Sequence, residues 1–217
     1  MIKNKLKIVI DILMTIVFIL LMCNQVTGVL AHEILGISVI ILFIIHQILN
    51  INYYKQLFKG KYNKLRIDYV AVNSLLLIMM IIMIISAMLI SQHTLKFLNL
   101  SNDSLGRELH IISTYIIYML IGLHIGLHYN SIVKLKKENK IILNIFMCLY
   151  ALVFGIQGFI KKELIAKLTL QNLYPIHSED NVIMILIDYI GILVMLVMIG
   201  YGIYNLLKLK GKSDKNE

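Results

Sequence analysis

Residues 28–51 read GVLAHEILGISVIILFIIHQILNI, twenty-four residues with a single carboxylate, Glu33, and no lysine or arginine. A hydrocarbon core about 30 Å thick needs about 20 apolar residues in a helix, so the segment is long enough to cross a bilayer. Its polar exceptions decide more than its length. His32 and His46 stand 14 residues apart, close to four helical turns, which places them on one face and about 21 Å apart along the axis. The same interval separates His110 and His124 in residues 108–129, ELHIISTYIIYMLIGLHIGLHY. Seven histidines in 217 residues, scattered at random, would give roughly 0.2 pairs at that separation. Two such pairs, each on an apolar helix, point to a shared structural purpose.

Around these segments the chain is 59% hydrophobic and 15% charged, with one proline. Soluble domains lie nearer about 45–50% apolar and 25% charged, so the excess apolar surface has to face lipid. The expected fold is an all-α polytopic membrane protein of six transmembrane helices, at 8–27, 28–51, 69–92, 108–129, 141–160 and 181–207. Residues 1–130 are expected to form a four-helix bundle holding the histidines. Residues 131–217 add two further transmembrane helices and a cytoplasmic basic tail.

Lys and Arg outnumber Asp and Glu by 21 to 12. In so apolar a chain this excess is a statement about sidedness and gives no reason to expect nucleic acid. Lys3, Lys5 and Lys7, then Lys55, Lys59, Lys61, Lys64 and Arg66, fall on one side. Lys134, Lys136, Lys137 and Lys140, and in the tail Lys208, Lys210, Lys212 and Lys215, fall on the same side. Only Lys96, Arg107, Lys161, Lys162 and Lys167 lie opposite. The positive-inside rule then places both termini in the cytoplasm, with the chain in the cytoplasmic (plasma) membrane. A basic start, an apolar run and Val29-Leu30-Ala31 also resemble a secretory signal peptide. The run is long for that role, and cleavage would leave an odd number of spans.

Ionisable groups inside a bilayer cost several kcal/mol and are functional by default, which directs attention to the histidines. Spans two and four run in the same direction, so His32 can face His110 near the outer surface and His46 can face His124 near the inner one. Two neutral imidazoles from facing helices, at two depths in an apolar bundle, supply the axial donors that two six-coordinate haems require. Neither Cys23 nor Cys148 lies in a CxxCH or CxxC run, so haem here would be non-covalent, b-type haem. Gly36 would let a ring lie close to the backbone. Transmembrane histidines that merely hydrogen-bond between helices are the structural alternative.

Other residues are less decisive. His128, one turn beyond His124, competes with it as inner ligand or contacts a propionate or quinone. Arg107 either pairs with an outer propionate through its planar fork or is an ordinary interfacial cation. His93 ends span three and His177 lies in the last outer loop. Glu33 either accepts a quinol proton or caps its helix. Asp188, in span six, reads as a protonated acid bonded to a neighbouring helix, or as a proton relay. Gly122 and Gly126 form a Gly-x-x-x-Gly pair facing away from His124, a packing signature.

The run Thr27 to Gly36 with its His32-Glu33 pair, then His46-Gln47-Ile48-Leu49-Asn50 and the segment Tyr54 to Tyr62, resembles the flavinylation-associated cytochrome family. Arg107-Glu108-Leu109-His110 through Leu123-His124-Ile125-Gly126-Leu127-His128-Tyr129 is similar to its second half. The resemblance covers roughly residues 8 to 130; Tyr129 stands where family members often have tryptophan. It implies b-type haem and electron transfer across the cytoplasmic membrane, with a flavoprotein or other extracytoplasmic redox protein as partner.

The expected function is therefore that of a membrane b-type cytochrome, an electron-transfer component of an oxidoreductase system with a flavoprotein or quinone at one end. The rival is a histidine-lined proton- or metal-coupled transporter without haem, although the spans show no clear inverted repeat.

Overall fold

A backbone in hydrocarbon has no water to bond, so each segment must satisfy its own amides, and helix is the form in which one chain segment does so alone. The computed structural model describes residues 2–98, 100, 103–172 and 181–213, and among these there is no strand. His177 and Lys215 lie outside the described residues. The helices are α1 (Ile2–Met22), α2 (Asn24–Leu49), α3 (Ile51–Leu57), α4 (Lys64–Ile90) and α5 (Asp103–Ile132). They are followed by α6 (Lys137–Tyr150), α7 (Ile156–Lys161), α8 (Leu164–Leu168) and α9 (Val182–Ser213). A π-helical turn, Ala151–Gly155, joins α6 to α7, so that Lys137–Lys161 is one long apolar element.

Among the described residues five helices are long and apolar enough to cross a membrane: α2, α4, α5, α6 with α7, and α9. Each matches a predicted span. The first predicted span corresponds to α1, a helix of 21 residues that sets itself apart by carrying Lys5, Lys7 and Asp11 in its first half. Ile41, Ile44, Ile81, Ile85, Ile142 and Phe146 are exposed on the outer faces of these helices. Such an apolar belt suits lipid and would be a liability in water.

The helices pair as hairpins. α1 and α2 turn back on each other at Gly28, whose φ of 73° and ψ of 167° break the helix. That residue is where the sequence divides spans one and two; glycine adopts this conformation without a Cβ penalty. Two cross-links share one register: Lys7 Nζ donates to Asn50 Oδ1 at 2.8 Å, and Asp11 Oδ1 lies 2.6 Å from His46 Nδ1. α4 and α5 form the second hairpin, in which Tyr69 donates from its hydroxyl to the Leu127 carbonyl at 2.7 Å.

α9 packs along α5, and it also touches α1 and α4. The contact is made by small residues, as expected where van der Waals fit and not water exclusion drives helix association. A Cβ on Gly126 would come within 2.8 Å of Gly200 Cα, and one on Gly122 would overlap Leu196. The Gly-x-x-x-Gly pair is thus a packing face. A Cβ on Gly155 would lie 2.8 Å from the Gly191 carbonyl oxygen, bringing the π-helical turn equally close to α9. Tyr118 of α5 lies between Phe18 of α1, with ring centroids 6.4 Å apart, and Tyr189 of α9, 6.1 Å away.

Candidate functional site

α2 packs chiefly against α1, and α5 chiefly against α4 and α9. One histidine of α2 nevertheless reaches one of α5. At the level of His32, its ring centroid is 6.2 Å from that of His110, with the planes at 72°. Two metal–imidazole bonds of about 2 Å on opposite sides of one ion would set ring centroids roughly 6 Å apart, so this pair has the separation that axial ligation asks for.

The surroundings of the pair fit a planar group. His32 has the Leu21 carbonyl nearby, yet its Nδ1 is buried without a hydrogen-bond partner, as is the Thr114 hydroxyl one turn from His110. A Cβ built on Gly36, one turn from His32, would meet nothing within 4 Å. Buried polar atoms are normally satisfied, and orphaned ones beside open space mark a place where a further group belongs. On the other side of the pair, Ser86 donates to the Met83 carbonyl at 2.8 Å, which leaves its oxygen lone pairs toward His110 Nδ1 at 3.4 Å.

The level of His46 is more heavily braced. Asp11 Oδ1 is 2.6 Å from His46 Nδ1. Asn50 donates from Nδ2 to the His46 carbonyl at 3.0 Å while receiving Lys7. Across the bundle, Asn73 Oδ1 of α4 lies 2.7 Å from His124 Nδ1. An amide oxygen or carboxylate can only accept, so each imidazole carries its proton on Nδ1 and its lone pair on Nε2, which at His46 lies 3.5 Å from Asn50 Nδ2. Orientation of this kind, by an oxygen on the far nitrogen, is the usual support of a metal-bound histidine. The His46 imidazole lies in the neighbourhood of His124 and His128.

His128 is held differently, its ring 4.7 Å from His124 and 4.8 Å from Tyr69 between centroids. Arg107 is exposed on α5, and His93 is exposed after α4. Neither is brought against the histidine pairs by a hydrogen bond or ion pair among the described residues.

Glu33 has a role the sequence does not disclose. Its carboxylate accepts the backbone N–H groups of Gln92 at 2.7 Å, His93 at 3.1 Å and Thr94 at 2.7 Å. It also accepts the hydroxyls of Ser91 at 2.9 Å and Thr94 at 2.8 Å. It therefore caps the turn after α4 and not its own helix, and it ties the start of α2 to the end of α4 beside His32. Asp188 is held by the neighbouring segment, 3.3 Å from Lys162 Nζ and 3.6 Å from Lys161 Nζ. Lys162, expected as a loop cation, is only 1% exposed.

Three residues of the site escaped the reading of the sequence: Asp11, Asn73 and Ser86. Asp11 and Asn73 were signalled as polar residues within apolar runs, but their helices carry no histidine in the span. Which histidine each one backs depends on hairpin register. No group of three or more His, Cys, Asp or Glu that could hold a metal ion is assembled among the described residues; between α2 and α5 it is the rings of His32 and His110 that come together. Comparison with protein-family models, with curated proteins and with solved structures finds no match in any of the three.

Proposed function

We propose that the chain is an integral-membrane b-type cytochrome that moves electrons across the cytoplasmic membrane through two non-covalent haems. The residues that would hold them are His32 with His110 at one level and His46 with His124 at the other. Bound there, haem supplies reversible one-electron chemistry, its potential set by the axial ligands and the dielectric around them.

The observation that carries this reading is the 6.2 Å approach of His32 and His110 between α2 and α5, together with a second histidine on each of these helices 14 residues on. The chain's part would be to present the imidazoles, to orient those of His46, His124 and His110 through Asp11, Asn73 and Ser86, and to keep water away with an apolar wall. Gly36 leaves room for a flat ring against α2. In this reading Arg107, exposed at the His110 end, would meet a propionate at the surface, and His128 one at the other level.

In this proposal α1 completes a six-span topology, and the distribution of Lys and Arg puts both termini in the cytoplasm. His46 and His124 then lie toward the cytoplasm and His32 and His110 toward the outside. A flavoprotein or other redox protein outside, or a quinone, would take or give the electrons, as the resemblance to flavinylation-associated cytochromes implies. The chain is then a component of an oxidoreductase system and not a complete enzyme.

The test is the colour of the purified protein. A reduced-minus-oxidised spectrum of b-type haem, with two haems extracted per chain by acid acetone, is the expected result. Colourless protein from haem-replete cells, taking up no added haemin, overturns the proposal and leaves the haem-free transporter.

A further inference from the structure

The two histidine levels are not equivalent, and the difference lies in what faces Nδ1. His46 donates to a carboxylate, Asp11 Oδ1, at 2.6 Å. At the other level neither ring is bonded to a carboxylate: His32 Nδ1 has no hydrogen-bond partner although the Leu21 carbonyl is nearby, and His110 has the neutral Met83 carbonyl and the Ser86 hydroxyl, the latter at 3.4 Å. A hydrogen bond to an ionised acceptor is shorter and roughly twice as strong as one between neutral groups. It draws the Nδ1 proton away from the ring and makes the opposite nitrogen a stronger donor. A stronger axial donor favours the more positive, oxidised state of a metal, so it lowers the reduction potential.

We infer that Asp11 is a positioning residue that holds the His46 level at a lower reduction potential than the His32 level. The inference rests on the reading of the histidines as haem ligands. Two further charges bear on the comparison. Lys7 is bound to Asn50 Oδ1 rather than to Asp11. Glu33, beside His32, has both oxygens engaged by the groups of residues 91–94 and acts through space, not through a ligand nitrogen. Neither offers the His32 level what Asp11 offers His46. Electron passage from the His46 level to the His32 level is then downhill, and the polarity is written into α1, a helix that contributes no ligand.

The full-length protein in nanodiscs would be titrated potentiometrically, with the α-band and the low-spin ferric EPR signals followed together. Single-haem variants His32→Ala and His46→Ala assign each midpoint to a level. The expected result is two midpoints, the lower belonging to the protein that retains His46. Asp11→Asn should raise that midpoint by at least a factor of ten in the equilibrium constant, about 59 mV for one electron. It should shift the EPR signal of the same haem and leave the other unmoved, while Asp11→Glu should restore the low value.

With both haems bound, an unchanged lower midpoint in Asp11→Asn overturns the inference, as does a lower midpoint in the protein that retains His32. Should Asp11→Asn empty its level, the order of midpoints in the two single-haem variants decides alone. Absence of haem from the wild type is a separate outcome, which removes the cytochrome reading before Asp11 is touched.

Discussion

Asp11 and His46, 35 residues apart, meet at 2.6 Å between Oδ1 and Nδ1. One contact accounts for two oddities of the chain. A carboxylate in the first apolar helix, costly in lipid on its own, has a partner. A histidine on the face of α2 has its proton fixed on the nitrogen that faces α1. The neighbouring link of Lys7 to Asn50 shows that α1 uses its charges inside the hairpin.

The histidine assignment predicts pairwise losses. His32→Ala and His110→Ala should each remove the same haem, His46→Ala and His124→Ala the other, reducing the ratio from two to one. His128→Ala should leave both. A haem lost with His128 and kept with Ala at 124 would reassign the ligand, and the pyridine haemochrome assay distinguishes the cases.

Asn73 supports His124 from α4, its Oδ1 2.7 Å from the ring Nδ1. Asn73→Leu should weaken haem retention at that level by roughly 10–100-fold, the usual cost of losing an outer-shell hydrogen bond to a metal ligand. Haem competition against apomyoglobin measures it, with the His32 level as internal control.

Glu33→Ala would strip the turn after α4 of its acceptor. Bonds to a charged group contribute about 1.5–3 kcal/mol each, so the amides of Gln92, His93 and Thr94 should exchange at least tenfold faster in hydrogen–deuterium mass spectrometry. Exchange in α9 should not change.

The glycines divide into two classes. Gly126→Leu must push into Gly200 and Val197 and should cost about 1–3 kcal/mol or more by overpacking, seen as a lower midpoint of thermal unfolding in detergent. Gly36→Ala meets nothing and should leave the haem-free protein as stable or slightly more so. Gly36→Leu should impair haem uptake without unfolding it.

Lys162 and Asp188 form a buried pair at 3.3 Å. Asp188→Asn leaves Lys162 against the Tyr189 ring with its countercharge gone and should destabilise by about 3–5 kcal/mol, whereas replacing both with apolar residues should recover most of the loss. Thermal unfolding of the single and double variants is the measurement, and equal losses in both would show that the charges contribute little.

The apolar runs determined the membrane-helix class and five of the long helices directly, because the length of a span and the cost of charge in lipid are properties of a segment by itself. Gly28 marked the turn of the first hairpin for the same local reason, and the Gly122–Gly126 spacing marked a packing face. The 14-residue intervals located the four histidines on two helices, since helical periodicity converts sequence distance into depth. Tertiary structure alone decided that Asp11, Asn73 and Ser86 stand behind His46, His124 and His110, that Glu33 closes the turn after α4, and that Lys162 is buried against Asp188. Each of these pairs joins different helices, where the register of one helix against another, set by side-chain packing along their whole length, determines which polar groups meet.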